Sequence, residues 1–149
     1  MPTPTPRFRD LDAAECTALL ARHHVGRLAF SHRDRVYIEP IHYVLDDGWL
    51  YGRTQPGTKL EVITHNRWIA FEVDEIDALF DWRSVVVKGG FYLLRFDGGD
   101  HEVESYKKGI EILRRLVPET MTPADPMPER AIVFRINIDE LFGREATTK

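Results

Sequence analysis

The sequence has little cysteine, no long apolar run and no large excess of charge of either sign. Cys16 is the one cysteine in 149 residues, which excludes an internal disulfide and a zinc site made from cysteines. Its place on the apolar side of a predicted helix favours a core residue over a reactive thiol. The 20 lysines and arginines stand against 24 acidic residues, a net charge of −4. A general nucleic-acid binder, which needs a basic surface for the phosphates, is therefore not expected.

Membrane-spanning and secretory segments are also missing from the pattern. No apolar stretch approaches the ~20 residues of a membrane-spanning helix, and the opening MPTPTPRFRD lacks the apolar run of a signal peptide. We therefore expect a cytoplasmic protein. At 149 residues, 43% hydrophobic and 30% charged, the chain has the size and composition of one globular domain, with residues 1–10 as a flexible arm.

Motifs of hydrolytic and metal chemistry are absent. The six histidines form no His-Glu-x-x-His zinc motif, and no Gly-x-Ser-x-Gly turn presents a nucleophilic serine. Asp100-His101-Glu102 is better explained as the polar start of a helix than as an acid–base cluster. The residue pattern therefore favours neither a hydrolase nor a metal site.

Short apolar runs that predict β-strands dominate the sequence, with three amphipathic helices among them. The helices are predicted from Asp12 to residues 23–26, over Thr58–Asn66, and from about His101 to Val117. The strands are predicted over Gly26–Ser31, Val36–Leu45, Trp49–Thr54, Trp68–Val73, Ser84–Phe96 and Arg130–Ile138.

The segments between these elements have the composition of turns and loops. Asp47-Gly48, between two apolar runs, predicts a tight hairpin. The acidic segment Asp74–Asp81, the proline-rich segment Pro118–Pro128 and the segment Asp139–Phe142 are expected to be irregular. Asp12-x-x-Glu15 has the spacing of a capping box at the start of the first helix.

Two of the predicted strands contain residues that a regular strand tolerates badly. Pro40 cannot donate a hydrogen bond to a neighbouring strand, so its strand is expected to lie at an edge or to contain a bulge. Gly89-Gly90 predicts a bend in the longest strand, as a curved sheet requires. With the short connections, these features favour a mainly β fold: an antiparallel barrel of about six strands with appended helices.

The stretch Gly52–Glu61 has the elements of a site for one phosphate group. Arg53 ends a strand, a glycine-containing turn follows, and a helix begins at Thr58, where free N–H groups and the helix dipole attract an anion. Lys59 adds a second positive charge. The order Gly57-Thr58-Lys59 differs from the Gly-Lys-Thr order of a P-loop, so a nucleoside triphosphatase is not expected.

A purely structural explanation of the same residues stays open at this point. Thr58-x-x-Glu61 has the spacing of a capping box, and Arg53 and Lys59 would then be ordinary surface charges. Trp82-Arg83-Ser84 adds weight to a ligand, because a ring, a cation and a hydroxyl at the start of a strand suit an aromatic ligand that carries a phosphate. Trp82 alone is equally well explained as a core residue.

Six stretches, which span nearly the whole chain, match one known family in the family's own order. They are Leu19-Leu20 through Ala29, Tyr37–Val44, Leu50–Leu60, Phe71–Asp74, Trp82–Gly89 and Leu141–Glu145. In these stretches the sequence resembles the flavin-binding split barrels related to pyridoxamine phosphate oxidase, in particular the branch of nitroimidazole-resistance-like proteins. No single motif decides the resemblance; the ordered set does.

The resemblance implies a six-stranded split β-barrel that forms a homodimer and holds one FMN in each of two clefts between the subunits. It also implies a role in the site for three groups of residues. They are the phosphate-binding residues Arg53, Thr54, Thr58 and Lys59; the strand residues Pro40, Ile41, His42 and Tyr43, whose backbone edge meets the flavin ring; and the segment Trp82, Arg83 and Ser84, which completes the site.

One position departs from the family pattern. Members commonly carry Tyr-Phe-His followed by Ser or Thr where this chain has Tyr51-Gly52-Arg53-Thr54, so Arg53 replaces the family histidine. An arginine offers a planar fork of donors to a phosphate, but it does not replace a histidine that acts toward substrate. His42 is the candidate substitute, although a structural histidine is the commoner explanation.

The function that follows is an FMN-binding flavoprotein, an oxidoreductase that acts on a small molecule. Because a flavin carries its own redox chemistry, no catalytic acid or base is named. Two alternatives stay open: the same cleft binds a deazaflavin or haem, or the chain is a non-catalytic module that binds a flavin or another ligand.

Overall fold

The computed structural model describes residues 2–148, except for the side chain of Thr58. These residues contain nine strands and three helices. In chain order they are β1 (Arg7–Leu11), α1 (Ala13–Arg22), β2 (Val25–His32), β3 (Arg35–His42), β4 (Val44–Asp46), β5 (Trp49–Thr54), α2 (Thr58–His65), β6 (Trp68–Ala78), β7 (Asp81–Leu94), α3 (Asp100–Leu113), β8 (Ile132–Asn137) and β9 (Glu140–Thr147). The predicted mainly β fold is confirmed.

The strands form one antiparallel sheet whose main path runs β3-β2-β6-β7-β8-β5-β4. The terminal strands β1 and β9 pair with each other, and β9 also pairs with β7. In residues 2–148, β3 lies close to β5 without pairing with it, so the sheet curls into a barrel that is open along this seam. The seam leaves one edge of β3 free of strand pairing.

The longest strand, β7, connects the two halves of the barrel. Along one edge, Trp82–Lys88 pair with β9 and Phe91–Leu94 pair with β8, so the partner changes at Gly89 and Gly90. A Cβ atom on Gly89 would lie 1.8 Å from the carbonyl oxygen of Asn137. The predicted irregularity at the glycines is therefore a change of partner strand, with backbone packed so closely that no side chain fits.

Apolar side chains from α1 and from both halves of the sheet fill the barrel. Leu19 and Leu20 of α1 are fully buried, as are Phe71 and Val85 on neighbouring strands. Cys16 belongs to the same core, and burial raises the pKa of its thiol, as expected for a structural cysteine. A smaller cluster packs α3 against the outer face of β5 and β8. Within residues 2–148, no helix is long and apolar enough to cross a membrane.

Several local predictions are confirmed. The capping box forms at α1, where the Asp12 side chain accepts a hydrogen bond of 2.8 Å from the N–H of Glu15. The hairpin between β4 and β5 turns at Asp47 and Gly48, which have positive φ angles of 47° and 79°. Pro40 lies on β3, an edge strand whose one partner among the described residues is β2.

The prediction of a loop over Asp74–Asp81 is wrong. β6 continues to Ala78 and turns directly into β7, which pairs with it along its length. The acidic composition is tolerated because cations from other elements reach it: Arg22 of α1 donates to Glu75 with Nε at 2.8 Å. Such long-range ion pairs are not visible in local composition.

The chain ends were also predicted incorrectly. Residues 7–10 of the predicted arm and the segment Asp139–Phe142 lie largely in β1 and β9, because these two strands pair with each other across the length of the chain. Helix α3 begins at Asp100, with Gly99 as its N-cap, and it ends at Leu113 rather than at the predicted Val117. The six predicted runs are all strands; one is divided into β3 and β4, and the two terminal strands raise the number to nine.

Candidate functional site

The open seam contains a polar cavity of about 240 Å³, here called the seam cavity. β3 lines it with Glu39, Pro40 and Ile41, and the end of β5 lines it with Arg53 and Thr54. The other lining residues, which lie after β5, at the start of α2 and just before β8, are Gln55, Lys59, Glu129 and Arg130. The structure therefore brings two residues of the strand predicted to meet the flavin ring, Pro40 and Ile41, together with three of the predicted phosphate-binding residues, Arg53, Thr54 and Lys59.

The N-terminus of α2 supplies the helix end that the sequence predicted. Its N-cap is Gly57, which has no side chain to bond the N–H groups of the first turn. The alternative of a capping box made by Thr58 and Glu61 is wrong, since Thr58 is the first helical residue rather than the cap. The predicted phosphate contact of the Thr58 side chain lies outside the described part of the structure. An uncapped first turn that contains Lys59 has a positive potential.

Arg53 is buried at the end of β5 and forms an ion pair with Asp125. Its Nη1 and Nη2 donate to Oδ2 and Oδ1 of Asp125 at 2.6 and 2.7 Å, and the two side chains are 6% and 2% exposed. Asp125 also accepts the backbone N–H groups of Met121 and Met127, each at 2.9 Å. The Arg53 hydrogen bonds are the largest cause that lowers the pKa of Asp125. Because an arginine has more N–H groups than these two bonds use, Arg53 still has donors for a ligand.

Lys59 crosses the seam to form an ion pair with Glu39 of β3. The Glu39 side chain is 41% exposed, so solvent screens this pair and it contributes little to stability. An anion that enters the seam cavity can therefore replace Glu39 as the partner of Lys59. Arg130, on the same cavity, has no side-chain partner among residues 2–148.

A second cavity, of about 200 Å³, shares Arg53 and Arg130 with the seam cavity. We call it the apolar cavity, because its walls are mainly aliphatic. The end of α3 and the turn after it provide Leu113, Leu116 and Val117, and the proline-rich segment provides Thr120 and Met127. His42, a predicted site residue, lines this cavity from the end of β3.

Tyr43, the last of the residues predicted to meet the flavin ring from this strand, lies in the core. Its hydroxyl donates to the carbonyl oxygen of Leu20 at 2.7 Å, and its N–H donates to the carbonyl oxygen of His24 at 2.9 Å. Burial raises the pKa of its hydroxyl. Tyr43 thus anchors the connection from β3 to β4 against α1, and its polar groups already have partners.

The Trp82-Arg83-Ser84 segment lies at the start of β7, on a different cavity of about 240 Å³. Ser84 donates to Oε2 of Glu72 at 2.9 Å, and burial of that carboxyl raises its pKa. The Arg83 guanidinium lies 3.8–3.9 Å from the carboxylates of Glu75, Asp81 and Glu145. Among the described residues, this cavity and the seam cavity share no lining residue, so within one chain the segment lies apart from the predicted phosphate-binding residues.

Sequence reasoning missed Asp125, which holds Arg53, and four residues that line the seam cavity: Glu39, Gln55, Glu129 and Arg130. The proline content of Pro118–Pro128 indicated a linker, yet Asp125 in its middle is buried against Arg53. A single carboxylate between prolines carries no periodic signal that would reveal such a contact. Within residues 2–148, no group of three His, Cys, Asp or Glu residues is arranged to hold a metal ion.

Known proteins share this architecture. An uncharacterized protein of Rhizobium meliloti is 28% identical over 146 residues, which cover 93% of this chain and 95% of the relative. A solved FAD-binding protein of Mesorhizobium loti is 32% identical with a TM-score of 0.75, over 94% of this chain and 99% of the other. A candidate 5-nitroimidazole antibiotic resistance protein of Bacteroides thetaiotaomicron shares the fold, with a TM-score of 0.72 at 12% identity, over 95% and 89% of the two chains.

The family match covers almost all of the described chain. Residues 12–145 match the model of the family described as pyridoxamine 5′-phosphate oxidase. This range contains both halves of the barrel, the seam cavity and the apolar cavity. The resemblance found in the sequence is thereby confirmed: the chain belongs to the pyridoxamine 5′-phosphate oxidase family.

Proposed function

We propose that the protein binds a flavin nucleotide, FMN in the first place, in the seam cavity and acts in the cytoplasm as an oxidoreductase on a small molecule. The seam itself carries this proposal, since β3, which has no second partner strand among the described residues, lies opposite cations and an uncapped helix N-terminus. A planar ring with polar edges suits the free strand edge, and a phosphate suits the cations. The FAD-binding relative at 32% identity supports a flavin as the ligand.

Lys59, Arg53 and Thr54 are the residues that we expect to hold the phosphate, together with the first-turn N–H groups of α2. Lys59 exchanges the screened carboxylate of Glu39 for the phosphate. Arg53 donates with the N–H groups that Asp125 does not use, and the bonds to Asp125 keep its guanidinium in place. The residue that replaces the family histidine therefore supplies a fixed positive charge.

The ring end of the flavin is assigned to Pro40, Ile41 and His42. Pro40 and Ile41 line the seam cavity, and His42 lines the neighbouring apolar cavity. Tyr43 keeps β3 in position from the core rather than meeting the ring. A bound flavin supplies the electron-transfer chemistry, and the chain supplies binding, orientation and a cavity next to the ring.

A second copy of the chain is expected to complete the site. Trp82, Arg83 and Ser84 lie away from the seam cavity of their own chain, so they serve the site of the partner in a homodimer. Phe8, whose ring centre lies 6.3 Å from that of Trp82, is 52% exposed, and Phe142 beside them is 51% exposed. Exposed apolar patches of this kind are typical of subunit interfaces.

Flavin binding is tested by titrating FMN into the purified protein while measuring flavin fluorescence and, by calorimetry, the heat of binding. We expect one FMN per chain, and we expect Lys59→Gln to weaken FMN about tenfold or more, because it removes a charge-assisted bond. Lys107→Gln, on the exposed face of α3, is the matched control. Riboflavin, which lacks the phosphate, should bind both variants and the wild type alike. Absence of binding by FMN and FAD would refute the proposal, and tighter binding of a deazaflavin or haem would reassign the cleft.

A non-catalytic flavin-binding module is the second candidate function. The observation that favours it is Arg53, which occupies the position of the family histidine and is bound to Asp125. The FMN-loaded protein is mixed with NADH or NADPH without oxygen, and the flavin absorbance is followed. Bleaching by either nucleotide supports the oxidoreductase. Flavin that is bleached by dithionite but by neither nucleotide supports the module.

A further inference from the structure

We infer that the apolar cavity binds a small apolar carboxylate, and that Arg130 recognises the carboxylate group. A role of the carboxylate as substrate rests on the proposed flavin function, whereas binding of the carboxylate does not depend on it. It starts from the position of Arg130, which lines both cavities, so that a ligand held by it lies next to the seam.

The size and walls of the cavity limit the body of the ligand. An apolar cavity of about 150 Å³ is enough to hold a benzene molecule, and this one measures about 200 Å³. Leu113, Leu116, Val117 and Met127 offer no hydrogen bonds, so they favour an apolar body. One ring or a branched aliphatic group of similar size, with one small polar group attached, fits these walls.

The polar group of the ligand follows from which polar side chains are already satisfied. The charge of Arg53 is already balanced by Asp125, and the Thr120 hydroxyl donates to the carbonyl oxygen of Val117 at 2.5 Å. Among residues 2–148, the Arg130 guanidinium has no side-chain partner, and its neighbour Glu129 lines the seam cavity but not the apolar one. A half-buried guanidinium without a partner favours an oxyanion, which it can bind with two parallel bonds.

A carboxylate matches this arrangement better than a phosphate or a neutral group. The seam cavity offers Lys59, Arg53 and the start of α2 to a phosphate, whereas the described residues that line the apolar cavity include one cation without a side-chain partner, Arg130. A neutral ligand could accept a hydrogen bond from Arg130 but would leave its charge partly desolvated without a counter-charge, which is costly.

Benzoate is the probe, titrated calorimetrically into the full chain with and without FMN. We expect a Kd of about 1 mM or tighter, and binding of benzyl alcohol at least about tenfold weaker. Arg130→Gln should weaken benzoate about tenfold, while the matched control Arg95→Gln should not change it. Val117→Phe fills the cavity without touching the seam, so it should abolish benzoate binding and leave FMN binding within about twofold of the wild type.

The inference would be overturned by a lack of benzoate binding, by equal binding of benzoate to Arg130→Gln, or by equal binding of benzyl alcohol. Displacement of FMN by benzoate would also overturn it, since the apolar cavity would then belong to the flavin ring. If FMN does not bind but benzoate binds with the expected dependence on Arg130, the carboxylate site stands and the flavin function alone fails.

Discussion

Arg53 shows how one side chain can join a predicted ligand site to the folding of a loop. Its position at the end of a strand and before a glycine-containing turn predicted a ligand contact. The structure adds Asp125, which holds Arg53 with two bonds and the proline-rich segment with two more. Because that segment forms part of the apolar cavity, the ion pair also shapes the neighbouring site.

Replacement of Asp125 is predicted to destabilise the fold in a pH-dependent way. Asp125→Asn should lower Tm by several degrees at neutral pH, since it leaves the Arg53 charge buried without a counter-charge. The pKa of Asp125 is below its ordinary 3.8 in the folded state, so the pair stabilises the fold above that value. The stabilisation is lost as the pH falls toward the folded-state pKa.

The measurement is chemical denaturation of the wild type and of Asp125→Asn between neutral pH and about pH 3. The difference in unfolding free energy should be constant down to about pH 5 and should shrink below 3.8, the ordinary pKa of an aspartate. Asp77→Asn, on an exposed part of β6, is the matched control and should cost little. An equal loss in both variants, or a difference that does not change with pH, would show that the ion pair is unimportant.

At the scale of elements, strands with regular apolar spacing were predictable and the terminal strands were not. Strand β5 has its predicted bounds, Trp49–Thr54, because its apolar run lies between a hairpin turn and a glycine-containing loop. Strand β1 is largely exposed, strand β9 alternates exposed and half-buried residues, and both carry mixed charges, so their sequences resemble loops. They are strands because they pair with each other, a contact between the two ends of the chain.

The switch of partner strands at Gly89 gives a prediction at this scale. Gly89→Ala should lower the free energy of unfolding by ~1–3 kcal/mol or more, because the new Cβ would meet the backbone of Asn137. Thermal unfolding followed by calorimetry measures the loss. Gly99→Ala is the matched control, since a Cβ there meets nothing within 4 Å; because Gly99 is the N-cap of α3, we expect this change to cost up to about 1 kcal/mol and less than Gly89→Ala. Similar Tm values for the two variants would contradict the close packing of β7 against the end of β8.

At the scale of the whole molecule, two groups of predicted site residues lie on different cavities. The predicted phosphate-binding residues Arg53, Thr54 and Lys59 line the open seam. Trp82-Arg83-Ser84 lies on another cavity, beside the exposed rings of Phe8 and Phe142. The proposed homodimer, in which each subunit covers the seam of the other, would explain both locations. It also explains why apolar rings lie on the surface of a single chain.

The dimer is predicted to depend on the patch around Trp82. Phe142→Glu should produce a monomer at micromolar concentration and weaken FMN about tenfold or more, because a carboxylate buried in an apolar interface is unfavourable. Sedimentation velocity and FMN titration measure the two effects. Phe96→Glu is the matched control, since Phe96 is 70% exposed beside α3 and away from the patch. A dimer that survives Phe142→Glu with unchanged FMN affinity would exclude this interface.

The sequence by itself determined the mainly β composition, the six apolar runs that became strands, the hairpin at Asp47-Gly48 and the family. These depend on local periodicity, on turn chemistry and on an ordered set of stretches, all of which lie along the chain. Only the tertiary structure decided that Asp125 binds Arg53, that Tyr43 lies in the core and that Trp82 lies apart from the seam. These contacts join residues distant in sequence, and they depend on how the sheet curls, which no local pattern specifies.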